Sequence, residues 1–175
     1  MNHWERFGLL AALVEKMDER NFTLGKTALQ KLIYLLKMLF DSGVDYEYEL
    51  YIYGPYSREL ASDFEYLAAV DIIDSKFKNN DDYGGYKIQP GRKVKTAVEK
   101  AEDFIKANNE NLDRVIDKFG KMTARELELK PTILYLNREE GLKTCEIGKR
   151  VKAIKPYFDL QEIEEGIRFM KDYLN

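Results

Sequence analysis

The sequence predicts a mainly α protein with a small antiparallel sheet, an α+β chain whose first half is winged-helix-like and whose second half is helical. Three observations predict it. Apolar residues recur at helical spacing along most of the chain. The β-rich runs are confined to residues 46–53, 71–77 and 86–88. From Gly91 onward the pattern is helical only.

Trp4, Phe7, Leu10, Ala11, Val14 and Met17 predict a first helix over about residues 3–19. Asn21-Phe22-Thr23 reads as a break or a strand of one bridge. A second helix is expected over 26–41, with Gly43 as its C′ residue. Its stretch Leu32-Ile33-Tyr34-Leu35-Leu36 is apolar nearly all round, which makes this helix central; Leu32, Ile33, Leu36 and Leu39 are its expected core. Tyr46 to Tyr53 reads as one strand, ended by Gly54-Pro55, with Pro55 in the first turn of a third helix that buries Leu60, Phe64, Leu67 and Ala68. The runs near 71–77 and 86–88 form a hairpin with the polar tip 78–85.

Beyond it, Val94, Val98, Ala101 and Ile105 make one helical stripe, and Leu112, Val115, Ile116 and Phe119 the next. Thr123 to Glu126 is a capping box. Pro131 predicts a kink or a fresh helix start. Thr144 is the expected cap of a helix through Val151 and Ile154, and Asp159 that of a last helix burying Ile163, Ile167, Met170 and Leu174. The composition divides the chain into a winged-helix-like part, 1–90, and a helical part, 91–175, packed together as one folding unit.

Composition narrows the function. The chain has 175 residues, 45% hydrophobic and 34% charged, a globular balance with a net charge of -3. That charge lacks the basic excess of a dedicated nucleic-acid binder. The lone cysteine, Cys145, allows no internal disulfide. The apolar run from Phe7 to Val14 is flanked by Glu5 and Glu15 and followed by no small-residue cleavage site, so it is not a signal core. No stretch reaches the roughly 20 apolar residues of a membrane span. The expected location is the cytoplasm, with no membrane partner.

Catalytic patterns are sparse. The one histidine, His3, lies at the N-terminal end, far in sequence from Cys145, so no nucleophile-base pair is written locally. Cys145 in a helix's first turn is either a reactive thiol or a small space-filler. Asp41, Asp45, Glu47, Asp81 and Asp82 follow no ion-binding pattern and read as solvated turns. Leu24-Gly25-Lys26-Thr27 has the end of a phosphate-binding loop without its first glycine, since position 20 is Arg20. No catalytic residue, metal site or cofactor is expected.

Two features remain. The segment Tyr51, Ile52, Tyr53, Gly54, Pro55, Tyr56, with Arg58 at the start of the next helix, reads either as a structural corner or as a rigid aromatic platform for a protein partner. A basic set comprises Arg92, Lys93 and Lys95 together with Lys143, Lys149, Arg150, Lys152 and Lys155. It reads as a solvated face or as a nucleic-acid contact.

The string Lys26-Thr27-Ala28-Leu29-Gln30-Lys31-Leu32-Ile33-Tyr34-Leu35-Leu36, with Tyr53-Gly54-Pro55-Tyr56-Ser57, resembles the YwgA-like uncharacterised proteins. Ala124 to Leu129, Ile133 to Leu136 and Arg150 to Pro156 extend that resemblance over most of the chain. Up to about residue 90 the chain also resembles, more distantly, the Panacea domain of SocA-like antitoxins. That second resemblance implies a protein-neutralising role beside a toxin; the first implies no particular activity.

The reading is therefore a non-enzymatic protein-binding regulator, of which the antitoxin type is one form. The alternative is a winged-helix DNA-binding transcription regulator. Residues 1–90 carry 10 Lys/Arg against 15 Asp/Glu, and the helix after Pro55 carries Glu59, Asp63 and Glu65 against Arg58. An acidic helix of that kind repels phosphate, which places DNA second. Assembly as a homodimer is open on the sequence.

Overall fold

The structure, a computed structural model, describes residues 1–80 and 83–175, and of residues 78–80, 83 and 84 the backbone alone. Asp81 and Asp82 lie outside the described residues. The chain is mainly α with two small antiparallel sheets. It forms two compact units. The first comprises 1–48 and 57–121, the second 49–56 and 122–175. The compositional change near residue 90 falls within the first unit, because the helices that follow it pack on the first helix of the chain.

In the first unit, α1 (His3–Glu19) starts at a capping box: Asn2 Oδ1 accepts from the Glu5 N–H at 2.9 Å, and Glu5 Oε2 accepts from the Asn2 N–H at 2.6 Å. Gly8 allows a close approach to the helix that ends at Ala101. A Cβ there would lie 2.3 Å from Ala101 Cβ and 2.9 Å from the Ala97 carbonyl oxygen. The helix α2 (Lys26–Leu39) is buried without interruption from Leu29 to Leu36. Leu39 is half-exposed rather than core, because the helix emerges from its neighbours in the last turn. Nor is Gly43 the C′ residue. Phe40 already leaves the helix in an extended conformation, the Ser42 hydroxyl donates to the Leu36 carbonyl at 3.2 Å, and Gly43 turns the loop beyond with φ +65°.

Gln30, buried in the middle of α2, faces the backbone of Ser57 with both ends of its amide. Nε2 donates to the Ser57 carbonyl at 2.9 Å and Oε1 accepts from the Ser57 N–H at 3.0 Å. Ser57 is the N-cap of α3 (Arg58–Ala69), its hydroxyl accepting from the Leu60 N–H. Pro55 therefore does not open α3, and only Leu60, Phe64 and Leu67 are fully buried from that helix. The strands β3 (Ile73–Asn80) and β4 (Tyr83–Pro90) pair antiparallel from Ile73↔Pro90 outward. One further bridge joins Leu24 to Ile88, one residue beyond the break expected at 21–23. Two helices follow, α4 (Val94–Lys100) and α5 (Glu102–Phe119), separated at Ala101 so that both can lie against α1. Lys16 of α1 and Arg20 at its C-cap hold Asp113 of α5 at 2.8 and 2.6 Å.

In the second unit, the run 46–53 is not one strand. Glu49–Tyr51 forms β1 and Gly54–Tyr56 forms β2, a hairpin with Ile52 and Tyr53 as its turn. Gly54 has φ +90°, the left-handed conformation that glycine reaches without a Cβ clash. The capping box of Thr123 and Glu126 starts α6 (Ala124–Arg138), which continues unbroken through Pro131. No fresh helix start appears there. Residues 127–134 are buried on every side, so packing holds the helix across the missing N–H. Next comes α7 (Thr144–Ile154), whose N-cap is Lys143, not Thr144; the Lys143 N–H is taken by Glu146 Oε2 at 2.9 Å. Asp159 caps α8 (Leu160–Met170), which buries Ile163, Gly166 and Met170, while Ile167 and Leu174 are half-buried. No helix among the described residues is long and apolar enough to cross a membrane.

Two measurements test this packing. Leu36→Ala removes a fully buried side chain from α2 and should cost roughly 2–5 kcal/mol in denaturant melts. A loss below about half a kcal/mol is the size of a surface effect and would displace α2 from the centre of its unit. The second concerns the carboxyl of Glu162, held down at about 2, from an ordinary 4.5, by the Arg125 guanidinium and the Asp159 N–H. A carboxyl depressed in the folded state contributes its full stabilisation above its unfolded pKa and loses it as pH falls through its folded one. Thermal melts should therefore separate wild type from Glu162→Gln at pH 6, with the gap closing as pH approaches 2. A gap constant with pH would mean that the charge contributes nothing.

Candidate protein-contact site

The β1–β2 hairpin carries the expected aromatic segment, and the structure sorts its members. Tyr51, Ile52 and Tyr53 are 55%, 63% and 61% exposed. Tyr53 sits in the turn, so it does not share a strand face with Tyr51 as alternation would require. The ring beside Tyr51 is that of Tyr56, at 5.7 Å between centroids, and Tyr56 is half-buried. Gly54 and Pro55 are buried and shape the hairpin from within. Arg58 is exposed in the first turn of α3, in the other unit.

β2 is a poor template for another strand, because Pro55 has no N–H to offer at its centre. What the hairpin presents is its tip.

Beneath the tip lies a buried charge pair that the sequence does not announce. Lys155 is the C-cap of α7, followed by Pro156, which ends the helix. Its side chain is 3% exposed, and Nζ lies 2.6 Å from Oε1 of Glu128 in α6. The same ammonium donates to the Ile52 carbonyl at 2.6 Å and to the Tyr157 hydroxyl at 3.3 Å. Its three protons thus have three acceptors. The Tyr157 hydroxyl donates to Glu128 Oε1 as well. Burial and that bond to a carboxylate push the Tyr157 hydroxyl well above the usual tyrosine range. Tyr157 as a whole is 51% exposed.

The basic set is divided between the two units. Arg92, Lys93 and Lys95 belong to the first unit, where Arg92 pairs with Asp71. Lys149, Arg150 and Lys152 lie along α7 in the second. Arg150 approaches Glu140 at 3.5 Å, and Lys152 donates to the Pro156 and Phe158 carbonyls at 2.8 and 2.6 Å. Lys155 is not on a solvated face at all, since the ion pair with Glu128 takes it inside. In α3 the acidic residues have partners within their own unit: Glu59 with Arg6, Glu65 with Lys26, and Asp63 with the Tyr46 hydroxyl at 2.7 Å.

Cys145 is exposed in the first turn of α7. Asp45 is engaged by Arg6 at 3.1 Å. Among the described residues no group of three His, Cys, Asp or Glu side chains is placed to hold a metal ion. Glu128 and Tyr157 are the site residues that sequence reasoning missed. Glu128 and Lys155 are 27 positions apart and share no local pattern.

Removing one member of a buried pair leaves the other charge without a partner. Glu128→Gln or Lys155→Met alone should therefore cost about 3–5 kcal/mol in denaturant melts. A loss within the roughly half a kcal/mol of a surface change would mean that the pair is solvated.

No family model matches the chain. It is similar to the uncharacterized protein YwgA of Bacillus subtilis (strain 168), with 24% identity over 164 residues that cover 93% of this chain and 94% of that protein. The likeness therefore extends through both units, in agreement with the YwgA-like resemblance of the motifs at 26–36, 53–57 and 124–156.

Proposed function

We propose that the chain is a non-enzymatic protein-binding regulator whose contact surface is the tip of the β1–β2 hairpin together with Tyr157. One observation carries the reading. Tyr51, Ile52, Tyr53 and Tyr157 are each more than half exposed, the first three on a hairpin whose Ile52 carbonyl accepts from the Lys155 ammonium. Large rings already ordered before binding lose little entropy on contact, and tyrosine is enriched among interface hot spots. The resemblance of residues 26–36 and 53–57 to the Panacea domain favours an antitoxin type of regulator, with a toxin as the partner.

The DNA-binding alternative has its own support. With the β1–β2 hairpin set aside as an insertion before α3, the order α1, the bridge at Leu24, α2, α3, β3 and β4, with Leu24 paired to β4, resembles that of a winged helix and supports this reading. Its weakness is electrostatic. The helix that would enter a groove carries Glu59, Asp63 and Glu65, and a duplex phosphate backbone repels them.

One set of proteins tests both readings. Wild type, Tyr53→Ala and Ile52→Ser are used to capture partners in the native host, with thermal melts of each. The tip variants should lose a partner that wild type retains, with stability changed by no more than about half a kcal/mol, as for exposed positions. Unchanged capture by both variants would remove the tip from the function. Salt-dependent submicromolar binding of the same wild-type protein to mixed duplex DNA, weakened by Lys149→Ala with Arg150→Ala, would put the regulator of transcription first.

A further inference from the structure

The Lys155 ammonium ends on the carbonyl of Ile52, the residue at the exposed point of the hairpin. Its counter-charge, Glu128, also receives the Tyr157 hydroxyl. One carboxylate oxygen thus serves two pieces of the aromatic surface by two routes. It holds Tyr157 directly, and it holds the Ile52-Tyr53 turn through the lysine. The turn has few means of its own to stay ordered: it is two residues long, exposed, and closes a hairpin of three residues a strand. Hairpins of that size are at most marginally stable alone.

We propose that Lys155 is a positioning residue, a buried ammonium pin that fixes the Ile52-Tyr53 turn, and that Glu128 is the anchor for both the pin and Tyr157. The pair is then retained for the geometry of the surface it carries and not for net stability. A buried ion pair can be exchanged for apolar residues of similar volume with little loss of stability, but no apolar residue donates to the Ile52 carbonyl. The consequence for partner binding rests on the protein-contact reading above; the pin itself does not.

The double variant Glu128→Leu with Lys155→Met separates the two roles. Its melting should stay close to that of wild type, while backbone ¹⁵N order parameters at Ile52, Tyr53 and Gly54 fall from about 0.85 to below about 0.6. Tyr157→Phe, which keeps the lysine and the carboxylate, should leave the turn as rigid as in wild type. A turn equally ordered in the double variant would overturn the proposal. A measurement on the wild-type protein stands if the double variant fails to fold. The Lys155 ammonium should give a ¹⁵N signal protected from water exchange, with a scalar coupling across the hydrogen bond to the Ile52 carbonyl carbon. Exchange as fast as at the exposed lysines would also overturn it. These readings need no partner. Loss of the pin and failure of the contact reading, which the capture experiment judges, are therefore distinguishable.

Discussion

The grip of Gln30 on Ser57 is the constraint on which the first unit turns. The chain leaves this unit after Tyr48 and returns at Ser57. Gln30 meets it at both places. Its side-chain amide makes two hydrogen bonds to the Ser57 backbone, and its own carbonyl lies 3.4 Å from the Tyr48 hydroxyl. A buried amide left unsatisfied costs about 1–3 kcal/mol, so the return point is specified closely. Everything after it in the unit follows from that position. Ser57 caps α3, α3 leads into β3, and β4 comes back to bridge Leu24 just ahead of α2.

The second unit solves a comparable problem with charge. Its central helix, α6, is buried on all sides from Leu127 to Leu134, and it carries Glu128 into that interior. An isolated carboxylate there would be untenable, so its position depends on Lys155 and Tyr157 arriving from beyond the end of α7. Pro156 makes this possible by stopping α7 where the lysine must turn inward. In both units the most buried helix thus uses one long polar side chain to hold a distant stretch of backbone or side chain. In the first the hold is neutral, in the second ionic.

The same logic explains why the hairpin tip is a surface and not an edge. Two three-residue strands with open edges would invite pairing with other chains. Pro55 removes the donor at the centre of β2, and the exposed side chains of the turn are the accessible feature. Recognition there would read side-chain shape and hydroxyl placement, not main-chain hydrogen bonds.

Local chemistry was legible in the sequence. The helix over 3–19, the capping boxes at Thr123 and Asp159, the β3–β4 hairpin and the central place of α2 are set by residues within a few positions of each other, so period and cap signals suffice. The aromatic segment that holds Tyr51 and Tyr53 is also visible there, as a structural corner or a contact platform; that both rings are exposed is a fact of the fold. What the sequence could not supply is long-range. Whether Pro131 breaks α6 depends on how completely the helix is enclosed. Whether Pro55 ends a strand or sits inside one depends on Leu50 opposite it. Lys155 looked like one more member of a basic face, because charge is visible in a sequence and burial is not. Only the fold brings Glu128 within 2.6 Å of it, and an ion pair across 27 residues leaves no spacing signal. The sequence by itself determined which segments coil; the tertiary structure decided which charges are inside, because desolvation depends on neighbours that are remote along the chain.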